Sequence, residues 1–324
     1  MDSKVGWLGF GNIFFNYFIL INLGAKMNFF LKIVPLLILP GLAYSKGLNS
    51  KSSEYTAPVP IVKLWMEHLA SSGIDGAAWL GPIRGNGTVD SKHRFKKRST
   101  LIFVPKKHDL KKDTDVIIWL HGHWGFNKFY TRILRHVDDI YSSGRNAIII
   151  APELPWSAWT KTPTRRNGTG PFRNFEEYLI WKSNVIKILS KNFGIKEGRI
   201  SKDTLIYGHS AGGSAVKSMA IVGALRDIQP SAIIFSDSSY GKWLDVTYDY
   251  YIKYHPEVKV YVMTALGGSP RRNAKRFLKG KKIIKDNIIH MMMPSGWTHK
   301  RIGDNCLLMS ASNDLFLSII RDSK

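Results

Sequence analysis

Between residues 99 and 264, short runs rich in valine, isoleucine and leucine alternate with longer stretches of helical period. Few folds satisfy both at once. The runs are STLIFVP (99–105), DVIIWLHG (115–122), NAIIIAPE (146–153), TLIYG (204–208), SAIIFSD (231–237) and VKVYVMT (258–264). They are too continuously apolar to present one face to water, so they read as strands buried on both faces of a mostly parallel central sheet. Amphipathic segments at 127–143, 174–193, 211–226, 240–254 and 271–279 read as the helices between them. The clearest, 175–194, puts Leu179, Val185, Ile186 and Leu189 on one stripe and ends at Gly194. Such alternation predicts an α/β architecture, a sheet flanked by helices on both faces. Ligands of such sheets bind beyond the carboxyl ends of the strands.

One strand end is unusual. In TLIYGHSAGGSAV (204–216) an apolar run stops at Gly208, a serine follows at 210, and a helix-compatible run begins at once. Gly208-His209-Ser210-Ala211-Gly212 is G-x-S-x-G with a strand before it and a helix after it. That turn holds a serine in strained backbone and projects its hydroxyl above the sheet, and the flanking glycines avoid clashes with the adjoining elements. The helix N-terminus adds amide donors and a positive dipole end.

With these motifs, residues 99–322 resemble an α/β-hydrolase of the secreted esterase and depolymerase type. The features that carry the resemblance are WLHGHWG (119–125), GHSAGG (208–213) and a late histidine, in that order. The resemblance implies a Ser-His-acid triad and acyl-enzyme chemistry, with Ser210 as nucleophile. It places the histidine at His299, between the strand-like run DNIIHMMMP and a C-terminal helix. His209, inside the elbow, and His290, within an apolar strand, are the competing histidines. The family's usual acid follows the strand that here is VKVYVMT, yet ALGGSPRRN carries no carboxylate. The expected acid is therefore Asp237, one strand earlier, with Asp245 in reserve. The oxyanion donors implied are the backbone N–H groups of His123 or Trp124, in HGHWG, and of Ala211.

Composition narrows the setting. Of 324 residues, 47 are Lys or Arg and 24 Asp or Glu, a net charge of +23. That favours anionic partners such as an envelope polymer, or else is the solvated surface of a lysine-rich protein. No basic run is interleaved with aromatics in the manner of a nucleic-acid module, so no specific nucleic acid is expected. The one cysteine, Cys306, excludes an intrachain disulfide framework and a cysteine-based zinc cluster. Neither a cofactor nor a metal is indicated, since the pair His121 and His123 has no acidic ligand set beside it.

Residues 1–45 read as an over-extended start followed by a signal peptide beginning at Met27, with cleavage after Ser45 and export to the periplasm or medium. Residues 5–25, uncharged, are a membrane anchor in the alternative reading. Residues 46–98 are expected to join the same domain, adding a strand or a lid, and 99–324 to form the catalytic domain. A small insertion at 154–173 is expected to roof the site. Its Trp156 and Trp159 either line a substrate groove together with Trp124 or plug the core, and Lys161, Arg165 and Arg166 either hold an anion or form a solvated rim. An exported carboxylic-ester hydrolase is the leading reading. A serine peptidase or amidase on the same fold, and a non-catalytic cationic binding protein, are the alternatives, so the substrate is an ester or an amide.

Overall fold

The computed structural model describes residues 75–84, 99–122, 145–154, 170–280 and 287–305, together with Glu67, Ser71, Gly73, His136 and Ile140. Eight strands form one sheet: β1 (Gly76–Pro82), β2 (Ser99–Pro105), β3 (Thr114–Leu120), β4 (Ala147–Pro152), β5 (Ile200–His209), β6 (Ala232–Ser236), β7 (Lys259–Thr264) and β8 (Ile288–Met292). Their spatial order is β1-β2-β4-β3-β5-β6-β7-β8. β1 and β2 pair antiparallel, as do β2 and β4, and every later pairing is parallel. The expected mostly parallel sheet is therefore present, with an antiparallel edge that the segment before residue 99 completes.

The strand runs are as dry as their composition demands. β2 and β4 are buried at every position, and β3 at all but Asp115. The sheet divides the interior into two apolar layers. Leu101, Phe103, Ile117, Trp119, Ile149, Tyr207 and Met263 point into one. Ile102, Ile118, Ile148, Ile206, Phe235 and Val262 point into the other, where helices cover them.

The α-helices that lie wholly among the described residues are α1 (Phe175–Phe193), α2 (Gly212–Val222), α3 (Ala224–Ile228), α4 (Trp243–Tyr250), α5 (Gly268–Gly280) and α6 (His299–Asn305). α1 starts where the Asn174 side chain accepts a bond from the Glu177 N–H, and stops where Gly194 turns left-handed with φ 72°. Its buried stripe is Tyr178, Trp181, Val185 and Leu189. This corrects the sequence expectation, because Leu179 is 41% exposed and Ile186 only partly buried. The large aromatic rings fill the space against the sheet, and Trp181 Nε1 also donates to Thr100 Oγ1 at 3.1 Å. Burying a side chain of that kind is worth about 2–3 kcal/mol, so it fixes which way the helix rolls. The expected helix 211–226 is broken at Gly223, whose φ of 86° ends α2 before α3 begins.

No helix among the described residues is long and apolar enough to cross a membrane. The segments expected to act as leader, anchor and roof (1–45 and most of 154–173), and Cys306, lie outside the described residues.

Candidate active site

The carboxyl ends of β3, β5, β6 and β7 meet at one edge of the sheet, and Ser210 stands there. It follows β5 directly with φ 52°, in the left-handed region that few non-glycine residues occupy. Two backbone bonds hold this conformation: Ser210 N–H to the Ser236 carbonyl at 3.2 Å, and Gly213 N–H to the Ser210 carbonyl at 3.2 Å. Close packing requires the glycines around it. A Cβ on Gly212 would run into the Leu120 carbonyl, and one on Gly122 would stand 2.7 Å from Ser210 Cβ. The end of β3 is thus pressed against the serine itself. Ala211 caps α2 without a side-chain hydrogen bond, so the serine sits at the amide-rich start of an eleven-residue helix.

The acid and the histidine meet at the same edge. Asp237 follows β6 with φ 44° and is 3% exposed. Its N–H donates to the Met263 carbonyl at 2.9 Å, and its Oδ1 accepts from the Ala265 N–H at 3.1 Å. Both bonds are to the end of β7, so the carboxylate is anchored there independently of the histidine. His299 Nδ1 donates to Asp237 Oδ2 at 2.6 Å. A proton held on Nδ1 leaves Nε2 as the lone-pair nitrogen.

His299 is the first residue of α6, and that helix is bolted down at two carbonyls. His209 Nε2 donates to the His299 carbonyl at 3.1 Å. The Gly303 carbonyl accepts from Tyr207 Oη at 3.3 Å and from His136 Nε2 at 3.1 Å. Gly303 lies against the His209 ring so tightly that a Cβ there would collide with it. His209 therefore reaches α6 from within the elbow, and its ring stacks on His299 at 4.7 Å between centroids and 29° between planes.

A tyrosine closes the cluster. The Tyr240 ring stands edge-on to His299, with centroids 6.2 Å apart at 80°, and edge-on to the Trp243 ring as well. Burial, and then the charge of Asp237, push its phenol above the ordinary value.

Ser210, His299 and Asp237, singled out in the sequence, are thus brought together with Ala211. His121 is buried beneath them and pinned as a neutral ring: Nδ1 donates to the Gly122 carbonyl at 2.8 Å, and Nε2 accepts from the Leu154 N–H at 2.7 Å. It steers the end of β3 toward the chain after β4. Asp245, the reserve acid, is taken by Arg276 at 2.9 Å on α4. His290 is occupied in β8, with Nε2 3.0 Å from Thr264 Oγ1. His123 and Trp124, the expected oxyanion donors, and Trp156 and Trp159, the expected groove, lie outside the described residues. Among the described residues no three His, Cys, Asp or Glu side chains gather as a metal would need. Sequence reasoning missed Tyr240. Its only signal was an aromatic three residues past the candidate acid.

Comparison with known proteins bears on fold and family. Solved structures with a similar fold include a Rhizomucor miehei esterase (13% identity, 83% of this chain and 90% of that one, TM-score 0.41). Others are esterase B from Lactobacillus rhamnosis (9%, 73% and 84%, 0.37) and oligopeptidase B from Trypanosoma brucei (14%, 68% and 33%, 0.37). This chain spans about a third of the length of such peptidases. Likeness at this level says nothing about the reaction. A search of curated proteins finds no matching relative. The sequence does match the family model of chlorophyllase over residues 83–278, well over half its length and from β2 to the end of α5 apart from the last two residues. With its strand order, its elbow serine and that match, the chain belongs to the chlorophyllase family of α/β-hydrolases.

Proposed function

We propose that this protein is an exported serine hydrolase that cleaves a carboxylic ester through an acyl-enzyme on Ser210. The observation that carries the reading is that a left-handed serine between β5 and α2 shares one sheet edge with a histidine whose Nδ1 is held by a buried carboxylate. That is the arrangement a hydroxyl nucleophile requires. His299 takes the serine proton on Nε2 as Ser210 Oγ bonds the acyl carbon and the carbonyl electron pair moves onto oxygen. The Ala211 N–H, with a donor from His123 or Trp124, stabilises that oxyanion. His299 then protonates the departing alcohol. Water, losing its proton to His299, releases the acid and restores the serine. Asp237 holds the imidazole in its productive tautomer throughout.

Ester is favoured over amide by the resemblance of WLHGHWG and GHSAGG to secreted esterases. Export rests on the leader-like grammar from Met27, and an anionic envelope substrate on the net charge of +23.

The test is a fluorophosphonate probe, followed by a panel of p-nitrophenyl esters of rising chain length beside peptide amides and chlorophyll. Covalent labelling and ester turnover that vanish together in Ser210→Ala are expected. Folded wild-type protein that takes no label would overturn the reading in favour of a binding protein.

A further inference from the structure

His209 precedes the nucleophile directly in the chain, yet its side chain acts on the base. It is buried at the end of β5. Its Nε2 donates to the His299 carbonyl at 3.1 Å, and its ring lies against the His299 ring at 4.7 Å and 29°. Residue 303 makes room for that ring by having no side chain, since a Cβ there would stand 2.3 Å from His209 Nε2. On the other flank lies Gly122, where an added Cβ would stand 3.2 Å from His209 Nδ1. The His299 side chain, by contrast, is 41% exposed, so burial does not fix it. Its bond to Asp237 holds one ring atom and leaves the imidazole free to swing about that atom.

We propose that His209 is a positioning residue: its bond to the His299 carbonyl, backed by the stacked rings, sets where the base stands relative to Ser210. The inference rests on the Ser210 reading above. Serine and histidine come from distant parts of the chain, and a single bond across 90 positions ties the backbone of the base to the elbow that carries the nucleophile. Both reacting groups are thereby referred to one tight corner instead of to two separate elements. Histidine supplies two things there, an N–H at the reach of Nε2 and a flat face. A carbonyl only accepts, so Nε2 carries the hydrogen in this contact. Asp237 selects the tautomer of His299, and His209 sets the plane and reach of its ring. Such positioning acts on every step in which His299 takes or returns a proton, and not on substrate binding. Misplacing a reacting group by 1 Å costs about 10²-fold in rate.

Two substitutions divide the contact. His209→Phe keeps a flat ring and gives up the donor, while His209→Gln keeps an N–H at the reach of Nε2 and gives up the ring. The readouts are kcat and KM for p-nitrophenyl acetate, the rate of fluorophosphonate labelling, and the melting temperature, with kinetics run well below it. The Phe variant should lose about tenfold or more in kcat and in labelling alike, with KM within about twofold of wild type. The Gln variant should recover kcat to within about threefold of wild type, because the bond to the carbonyl is restored. Gly303→Ala, which crowds the same contact from α6, should reproduce the Phe pattern and carries the test if the Phe variant does not fold. A His209 that only fills space would lower the melting temperature and leave kcat at the wild-type value in all three, which overturns the proposal. A Gln variant as slow as the Phe variant overturns it too, since the donated bond would then not carry the effect. Wild-type protein that fails to label removes Ser210 as nucleophile, and this inference with it.

Discussion

Asp237 occupies a backbone conformation that a side chain rarely tolerates, and it does so while buried and bonded at both carboxylate oxygens. Nothing about a turn-capping aspartate would require the bond to His299. The two candidate acids therefore separate cleanly. Asp237→Asn preserves the Ala265 bond but offers His299 an amide in place of a carboxylate, which favours the wrong tautomer. Ester kcat should fall by about 10⁴-fold. Asp245→Asn only weakens an ion pair with the exposed Arg276 and should leave kcat within about twofold, since such surface pairs are worth at most ~1 kcal/mol. Steady-state assays of the two variants decide it, and the reverse pattern would transfer the role to Asp245. Asp237 was legible because a carboxylate at the end of a strand-like run, beside a neighbouring strand end with none, is visible in the sequence. Tyr240 was not legible. A turn bends its ring back onto His299, and no spacing rule records that.

Among the elements, β8 joins the sheet through β7 alone, and His290 sits in that seam. Burial, then the positive charges of Lys275 and Arg271 on α5, hold its pKa below the ordinary 6.5. A histidine lowered in the folded state binds fewer protons there than in the unfolded chain. Unfolding therefore becomes easier as pH falls from 6.5 toward the folded value, and stability rises with pH across that window. His108, also lowered by burial against the weaker pull of Asp109, contributes with the same sign. Thermal melts between pH 7 and 5 should show a falling melting temperature, and His290→Gln should flatten part of that slope. An unchanged slope in the variant would mean that the seam does not sense its protonation. Elements differed in legibility for a simple reason. The double-faced burial of β2, β3 and β4 writes itself as unbroken apolar runs. β1, GAAWLGP at the sheet edge, carries glycine, alanine and proline and shows no such run. The stripe of α1 was misplaced because aliphatic residues were weighed above Tyr178 and Trp181, which do the burying.

Over the whole molecule, charge is the property that composition exposes and topology then distributes. α5 alone carries Arg271, Arg272, Lys275, Arg276 and Lys279 with no acidic residue, and it begins just after β7 at the edge where Ser210 and His299 meet. Arg276 is spent on Asp245, while Arg272, Lys275 and Lys279 share an exposed face at helical spacing. A field of this sign raises the local concentration of anionic substrate and its rate of encounter, and added salt removes the effect as the screening length shortens from about 10 Å at 0.1 M to about 3 Å at 1 M. The family match and the pairing of His299 with Asp237 say nothing about substrate charge, so this property has to be tested apart from catalysis. A p-nitrophenyl ester bearing a free carboxylate on its acyl chain and a neutral ester of equal length make the comparison. Between 0.05 and 0.5 M salt, kcat/KM for the anionic ester should fall by roughly tenfold while the neutral one changes less than about twofold. Both esters responding alike would show that the excess of lysine and arginine keeps the surface solvated and does not select what reaches Ser210.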